Sequence, residues 1–285
     1  MQSKGLDDDQ SVALAREIRN LAILLANEHQ MHEEAKKLSS IMSTFFKELP
    51  IFADVISQDQ QILENILTNK TNALKADEEW AREISLDIEF GKIFKDRLHI
   101  GPDGITFNDV SFPLEKITRV RWGALVTYVN GVKNNTSYRV NIGTDERMIS
   151  IECSLALERD ATSLERFSLV IDKVWRAVGF RLFTETLSRL SRGDRICYGD
   201  IFVDRDGILL QKKKFFLSSE PFYAKWEDLR IGSQDGNFII STPKEKNATA
   251  RLSYRELDNV HVLQAMMEFL WKEGNYQKLR RGEFS

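Results

Sequence analysis

The chain has 285 residues, enough for two or three domains that each bury a core. Its 42% hydrophobic and 29% charged content excludes a disordered or fibrous chain, and a net charge of −3 with no basic segment argues against a nucleic-acid binder. Two cysteines, Cys153 and Cys197, do not make a disulfide framework or a metal set, which points to a reducing cytoplasm. The longest apolar run, Leu21 to Ala26, is too short to cross a bilayer. Met1-Gln2-Ser3-Lys4 leads into Asp7-Asp8-Asp9, which is not the pattern of a signal peptide.

Residues 11 to about 76 read as helical. Val12, Ala15, Ile18, Ala22, Leu25 and Ala26 follow the 3.6-residue period, as do Ala35, Leu38, Ile41, Met42 and Phe45. Asn27-Glu28-His29-Gln30 reads as the turn between two antiparallel helices. Pro50 ends the second helix, and Ile51, Val55, Ile62 and Ile66 continue as a third. Glu78 to Glu83 closes the helical part.

Ile88 to Ile93 opens a β region, with strands expected at 97–101, 104–108, 118–129, 137–143 and 146–152. Asn130-Gly131 is a hairpin turn. Leu164, Phe167, Val170, Ile171, Val174, Trp175 and Val178 then form one helical stripe, which Leu182, Phe183, Leu187 and Leu190 prolong. A single helix from Leu164 to Ser191 would be about 40 Å long, with only Gly179 inside it as a weak spot. It should cap the first β domain with its first half and pack on a neighbour with its second. Further strands are expected at 195–204, 207–216, 222–232, 237–243 and 248–254. A helix follows from Asn259 to Lys272, and then a frayed tail at 274–285.

The β part repeats. Gly101-Pro102-Asp103-Gly104-Ile105 and Asp204-Arg205-Asp206-Gly207-Ile208 both read as hairpin turns between apolar strands. Aligned by their later glycines, Trp226 takes the slot of Ile117, and Trp122 that of Ile231. Trp175 and Trp271 lie on the apolar stripes of the two closing helices. All four tryptophans are therefore expected in cores. The division is 1–76 helical, 77–192 first β domain with its long helix, and 193–285 second β domain.

Ala22, Ala26, Glu34-Ala35, Leu38 and Pro50 resemble a degenerate tetratricopeptide-type helical hairpin. Asp103-Gly104-Ile105 through Phe112-Pro113-Leu114-Glu115-Lys116-Ile117-Thr118-Arg119-Val120, with their counterparts at 206–208 and 222–229, resemble bacterial pleckstrin-homology-like modules. Residues 88–272 together are similar to a tandem module found C-terminal to helical-repeat or J-domain regions. The resemblance implies an α+β fold: a helical hairpin, then two curved antiparallel sheets, each closed by a C-terminal helix. The J-domain's His-Pro-Asp signature is absent from this chain, so no chaperone-stimulating role carries over.

Chemistry is sparse. Glu28-His29 and His32-Glu33 are the only clustered His/Glu set; the turn between the helices breaks a metal-binding face there, and no third ligand is evident. Cys153 and Cys197 lack a sequence-local base, and no glycine-rich run precedes a helix. The one surface feature with a functional flavour is Lys212-Lys213-Lys214-Phe215-Phe216. Pleckstrin-homology-like domains that bind anionic headgroups use basic residues near this early hairpin, whereas the first repeat has Asn108-Asp109-Val110-Ser111 there. The second repeat is longer at this point, and the extra chain is expected to form a protruding loop. Lysines guarding a strand end are the simpler reading.

The sequence thus predicts a cytoplasmic, non-enzymatic interaction scaffold with a protein partner, no cofactor and no small-molecule substrate. The alternative is peripheral binding to anionic lipid at the inner face of the membrane through Lys212 to Phe216. A third reading is an enzyme with dispersed active-site residues.

Overall fold

The computed structural model describes residues 9–46, 50–90, 95–153, 160–213 and 219–284. The chain is α+β and divides into two compact units, Met1–Trp80 and Ala81–Ser285.

The first unit is helical. α1 (Asp9–Asn27) and α2 (His32–Phe45) form an antiparallel hairpin, and α3 (Pro50–Ile84) follows. Pro50 starts α3, a position where its missing N–H leaves no helical bond unmade. Small residues set the packing, with Ala15 and Ala35 fully buried, Ala22 and Ser39 nearly so, and Met42, Ile56 and Leu63 filling the space between them. Arg19 holds Asp59 through two nitrogens, Nε at 2.6 Å and Nη2 at 3.2 Å, fastening α1 to α3. The end of α3, Ala81 to Ile84, belongs to the second unit.

The second unit carries one plan twice. First come β1 (Leu86–Phe90), β2 (Asp96–Gly101), β3 (Gly104–Phe107) and β4 (Val110–Phe112), a four-stranded antiparallel meander. A 3-10 turn at Leu114–Lys116 leads to a three-stranded meander of β5 (Arg119–Val129), β6 (Val132–Gly143) and β7 (Met148–Glu152). Alternating residues point inward from both sheets: Leu98, Ile100 and Ile105 from one, Val120, Val140, Ile142 and Ile151 from the other. α4 (Asp160–Val174), a π-helical turn at Trp175–Gly179 and α5 (Phe180–Ser191) run on without a break. Phe167, Val170 and Val174 close the first core.

The second copy has β8 (Ile196–Tyr198), β9 (Ile201–Val203), β10 (Gly207–Lys213) and β11 (Ser219–Lys225), then a 3-10 turn at Trp226–Asp228. β12 (Arg230–Gln234), β13 (Asn237–Ser241) and β14 (Thr249–Ser253) form its second meander, and α6 (Val260–Trp271) closes the core with Leu263, Met266, Met267 and Leu270.

Several expectations change. The strand expected at 195–204 is a hairpin, turning at Gly199-Asp200 with Gly199 at φ +60°. The strand expected at 222–232 is interrupted by the 3-10 turn. That turn also corrects the alignment of the repeats. Trp226 stands where Leu114 stands, at the first position of the turn, and Ile117 is matched by Leu229; each of the latter donates its N–H back to the turn's first carbonyl.

The repeated glycines act differently from the expectation as well. The turns are Pro102-Asp103 and Arg205-Asp206, and the glycine opens the next strand. A Cβ on Gly104 would lie 2.5 Å from the carbonyl oxygen of Phe112, and one on Gly207 would lie 2.2 Å from that of Ala224. The close approach of the next strand excludes a side chain there.

Residues 272–284 are no frayed tail. α7 (Tyr276–Arg280) buries Leu279 in the second core, Arg280 Nη2 meets Glu227 at 2.6 Å, and the Phe284 ring packs on Phe269. Trp226 is fully buried and Trp122 nearly so, whereas Trp175 and Trp271 are only partly covered.

Candidate functional site

The two copies meet along the edge of β5. Odd-numbered β5 residues turn their backbone groups toward β6, since Val129 pairs with Val132 across the two-residue turn; even-numbered ones face outward. Thr118 and the outward-facing Val120 and Trp122 are met by residues of the second copy. Asn259, at φ +61°, donates its backbone N–H to the Val120 carbonyl (2.7 Å), accepts the Val120 N–H on Oδ1 (3.0 Å) and donates Nδ2 to the Thr118 carbonyl (2.8 Å). Arg119 and Arg121 lie 3.6 and 3.4 Å from Asp258, and Arg121 also donates to the Glu256 carbonyl. The stem of Arg255 lies over Gly123, where a Cβ would come within 2.7 Å of it.

An aromatic stack continues this seam. Trp175 stands edge-on to Trp122 (6.3 Å, 85°), His261 lies flat on Trp122 (4.2 Å, 7°), and Tyr254 covers the other side of His261 (4.3 Å, 16°). His261 donates Nε2–H to the Trp122 carbonyl at 2.9 Å. Burial pushes the His261 imidazole down to about 4, so it is neutral at ordinary pH. Val262 enters the first core, and Phe183 on α5 touches both, with Leu182 in the first core and Leu187 and Leu190 in the second. The long helix therefore caps the first copy with its first part and packs on the second with its last turns. Nothing in the sequence pairs Asn259 with Val120; an Asn before an apolar helix reads only as an ordinary cap.

The sequence-predicted residues are distributed as follows. Lys212 sits in β10 opposite Glu220 and makes an ion pair with Glu245 at 2.6 Å. The ammonium is held above its usual range, chiefly by the hydrogen bond to Glu245, and that carboxyl is held below its own. Lys213 ends β10 opposite Ser219. Lys214, Phe215 and Phe216 lie outside the described residues. Part of the extra chain lengthens the hairpin, because β10 and β11 have seven residues each where β3 and β4 have four and three.

Other polar groups are tied into structure. His99 Nδ1 meets Asp87 at 2.7 Å across β1 and β2 on an exposed sheet face. The Tyr223 hydroxyl donates to Asp204 at 2.6 Å, while the same carboxylate closes the turn by accepting the N–H groups of Asp206 and Gly207. Burial pushes the Cys153 thiol up to about 12, and Cys197 is exposed with its thiol on the Gly199 carbonyl. Among the described residues, no group of three or more His, Cys, Asp and Glu is placed to hold a metal ion, and no helix is long and apolar enough to cross a membrane.

Among the described residues, apolar surface is exposed in both units. In the helical unit, Ala22, Ile23, Ala26, Ile62, Leu63 and Ile66 line a groove of about 260 Å³ with Asp59 at its edge. In the second unit, the β5–β6 hairpin runs past the end of β7, and Leu125, Val126, Tyr128, Val129 and Val132 are all exposed on it. No family model, curated protein or solved structure matches this chain.

Proposed function

We propose that this chain is a non-enzymatic interaction scaffold acting in the cytoplasm: a tetratricopeptide-like helical hairpin followed by two pleckstrin-homology-like domains, serving a protein partner. The observation that carries this reading is the double occurrence of one plan, a four-stranded meander, a 3-10 turn, a three-stranded meander and a closing helix, with the copies fastened along β5. A pair of domains bonded in this way presents its surfaces at a fixed spacing, which suits assembly. The groove of the helical unit lined by Ala22, Ile23, Ala26, Ile62, Leu63 and Ile66, with Ile62 exposed in it, offers apolar surface of the kind that receives an amphipathic helix.

The test is affinity capture from the source cells with the full chain and with an Ile62→Lys variant. Captured species are then rebuilt from purified components. A partner that binds the wild type directly and not the variant is the expected result. If no purified species binds the wild type, or if binding is indifferent to Ile62, the reading falls.

A further inference from the structure

The seam covers only half of the β5 edge. Beyond Trp122, whose carbonyl takes the last bond from His261, the outward N–H and C=O groups of Ala124, Val126 and Tyr128 have no partner among the described residues. The segment Gly123-Ala124-Leu125-Val126-Thr127-Tyr128-Val129 contains no charge and no proline. Its large side chains are 40 to 63% exposed: Leu125 51%, Val126 40%, Tyr128 63% and Val129 52%. An uncharged, β-prone edge of this kind is a template for strand addition, and proteins that remain soluble with one usually guard it with lysine, proline or a bulge. The bulge near Thr127 falls on β6, where Asn134 is the extra residue, and leaves β5 regular.

We propose that β5 pairs with β5 of a second copy of this chain, antiparallel about Val126, joining two three-stranded sheets into one of six strands. The alternation along β5 requires outward groups to face outward groups, and centring the pair on Val126 is the register that bonds all three free outward residues, Ala124, Val126 and Tyr128. Val126 then lies opposite Val126 of the second copy, Ala124 opposite Tyr128, and Leu125 opposite Thr127. Ala124 leaves room for the Tyr128 ring of the second copy, and the uncharged segment sets no like charges against each other. The occupant follows from continuity. The inner half of this edge is already an interface, ending at Trp122, and a second β5 takes up the outer half with every outward backbone group bonded. A five-residue overlap covers less than the roughly 800 Å² per partner of a standard interface, so the dimer dissociates on dilution.

The test is sedimentation equilibrium of the full chain from low to high micromolar concentration. Wild type should pass from monomer to dimer. Val126→Lys places two ammonium groups opposite each other and should stay monomeric, with the far-UV spectrum and melting point of dilute, monomeric wild type, because Val126 is exposed; Val126→Thr should still dimerise. In a Cys197→Ser background, Val126→Cys should form a disulfide-linked dimer under mild oxidation, since directly paired Cα atoms lie about 5.5 Å apart, and Leu21→Cys should not. A wild type that is monomeric throughout, a dimer that survives Val126→Lys, or equal cross-linking at positions 126 and 21 overturns the proposal.

Discussion

Asn259 pairs with Val120 as a strand residue would, using its backbone N–H for one bond and its side-chain carbonyl for the other. Val120 is fully buried, so its N–H has no water to turn to if Asn259 is lost. Asn259→Gly keeps the left-handed backbone and removes the side chain; it should lower stability by about 1–3 kcal/mol. Asn259→Ala should lose about a further 1–2 kcal/mol, because alanine resists φ +61°. Chemical denaturation of the two variants checks both the size and the order, and equal midpoints for wild type and Asn259→Gly would remove the seam's role in stability.

His261 gives the seam a pH dependence. The folded imidazole titrates near 4, against 6.5 for the unfolded chain. Above 6.5 both states are neutral there and the contribution is complete. Between 6.5 and 4 the unfolded chain takes up a proton that the folded one refuses, so stability falls as the pH falls. The loss is on the order of 3 kcal/mol at most, and contact of an imidazolium with the Trp122 and Tyr254 faces would offset part of it. Urea midpoints at pH 7.5 and 5 should differ more for wild type than for His261→Gln.

Gly179 looks like a weak point in a long helix, where replacement by alanine normally stabilises by about 1 kcal/mol. Here a Cβ would sit 2.4 Å from Cε3 and 2.7 Å from Cδ2 of Trp175. Gly179→Ala must shift a ring that stands against Trp122, and overpacking of this kind costs about 1–3 kcal/mol. A lowered denaturation midpoint is the expected sign; a raised one would mean that Trp175 moves aside freely.

The tryptophans of the second copy should separate. Trp226 is fully buried with its indole N–H on the Arg205 carbonyl, and Trp226→Ala should cost about 3–5 kcal/mol. Trp271 is only partly covered and donates to the Trp226 carbonyl, so Trp271→Ala should cost less. Thermal melts of both variants rank them.

The anionic-membrane alternative makes a charge-specific prediction. Lys212 is already matched by Glu245. If the lysines do bind anionic vesicles at low salt, Lys212→Ala should change little, Lys213→Ala with Lys214→Ala should release the protein, and Glu245→Gln should strengthen binding. Wild type that leaves anionic vesicles in the supernatant at low salt disposes of this alternative.

Local signals made much of the fold legible. Asn130-Gly131 adopts the two positive φ angles, +50° and +79°, that a two-residue hairpin needs, and the apolar stripe of 164–190 forms the unbroken helix it implies. What escaped was non-local or cryptic. A 3-10 turn of three residues is too short for any period to reveal, so alignment by the glycines alone sets Trp226 against Ile117 instead of Leu114. α7 is held by one buried Leu279 and the Arg280–Glu227 pair, too few residues to show amphipathicity. The seam joins residues 139 to 141 apart through the Asn259 side-chain amide and the His261 imidazole, and neither propensity nor alternation encodes such bonds.

That separation has a consequence for the order of events during synthesis. When β5 leaves the ribosome, the residues that will cover its inner edge have not been made, and at about 5–20 residues per second they arrive roughly 7–28 s later. For that interval the whole edge, from Thr118 to Val129, is bare on a nascent chain. Holdase chaperones or the pace of translation through the second copy would then govern yield, and slowing elongation after residue 143 should raise the insoluble fraction without altering the final fold.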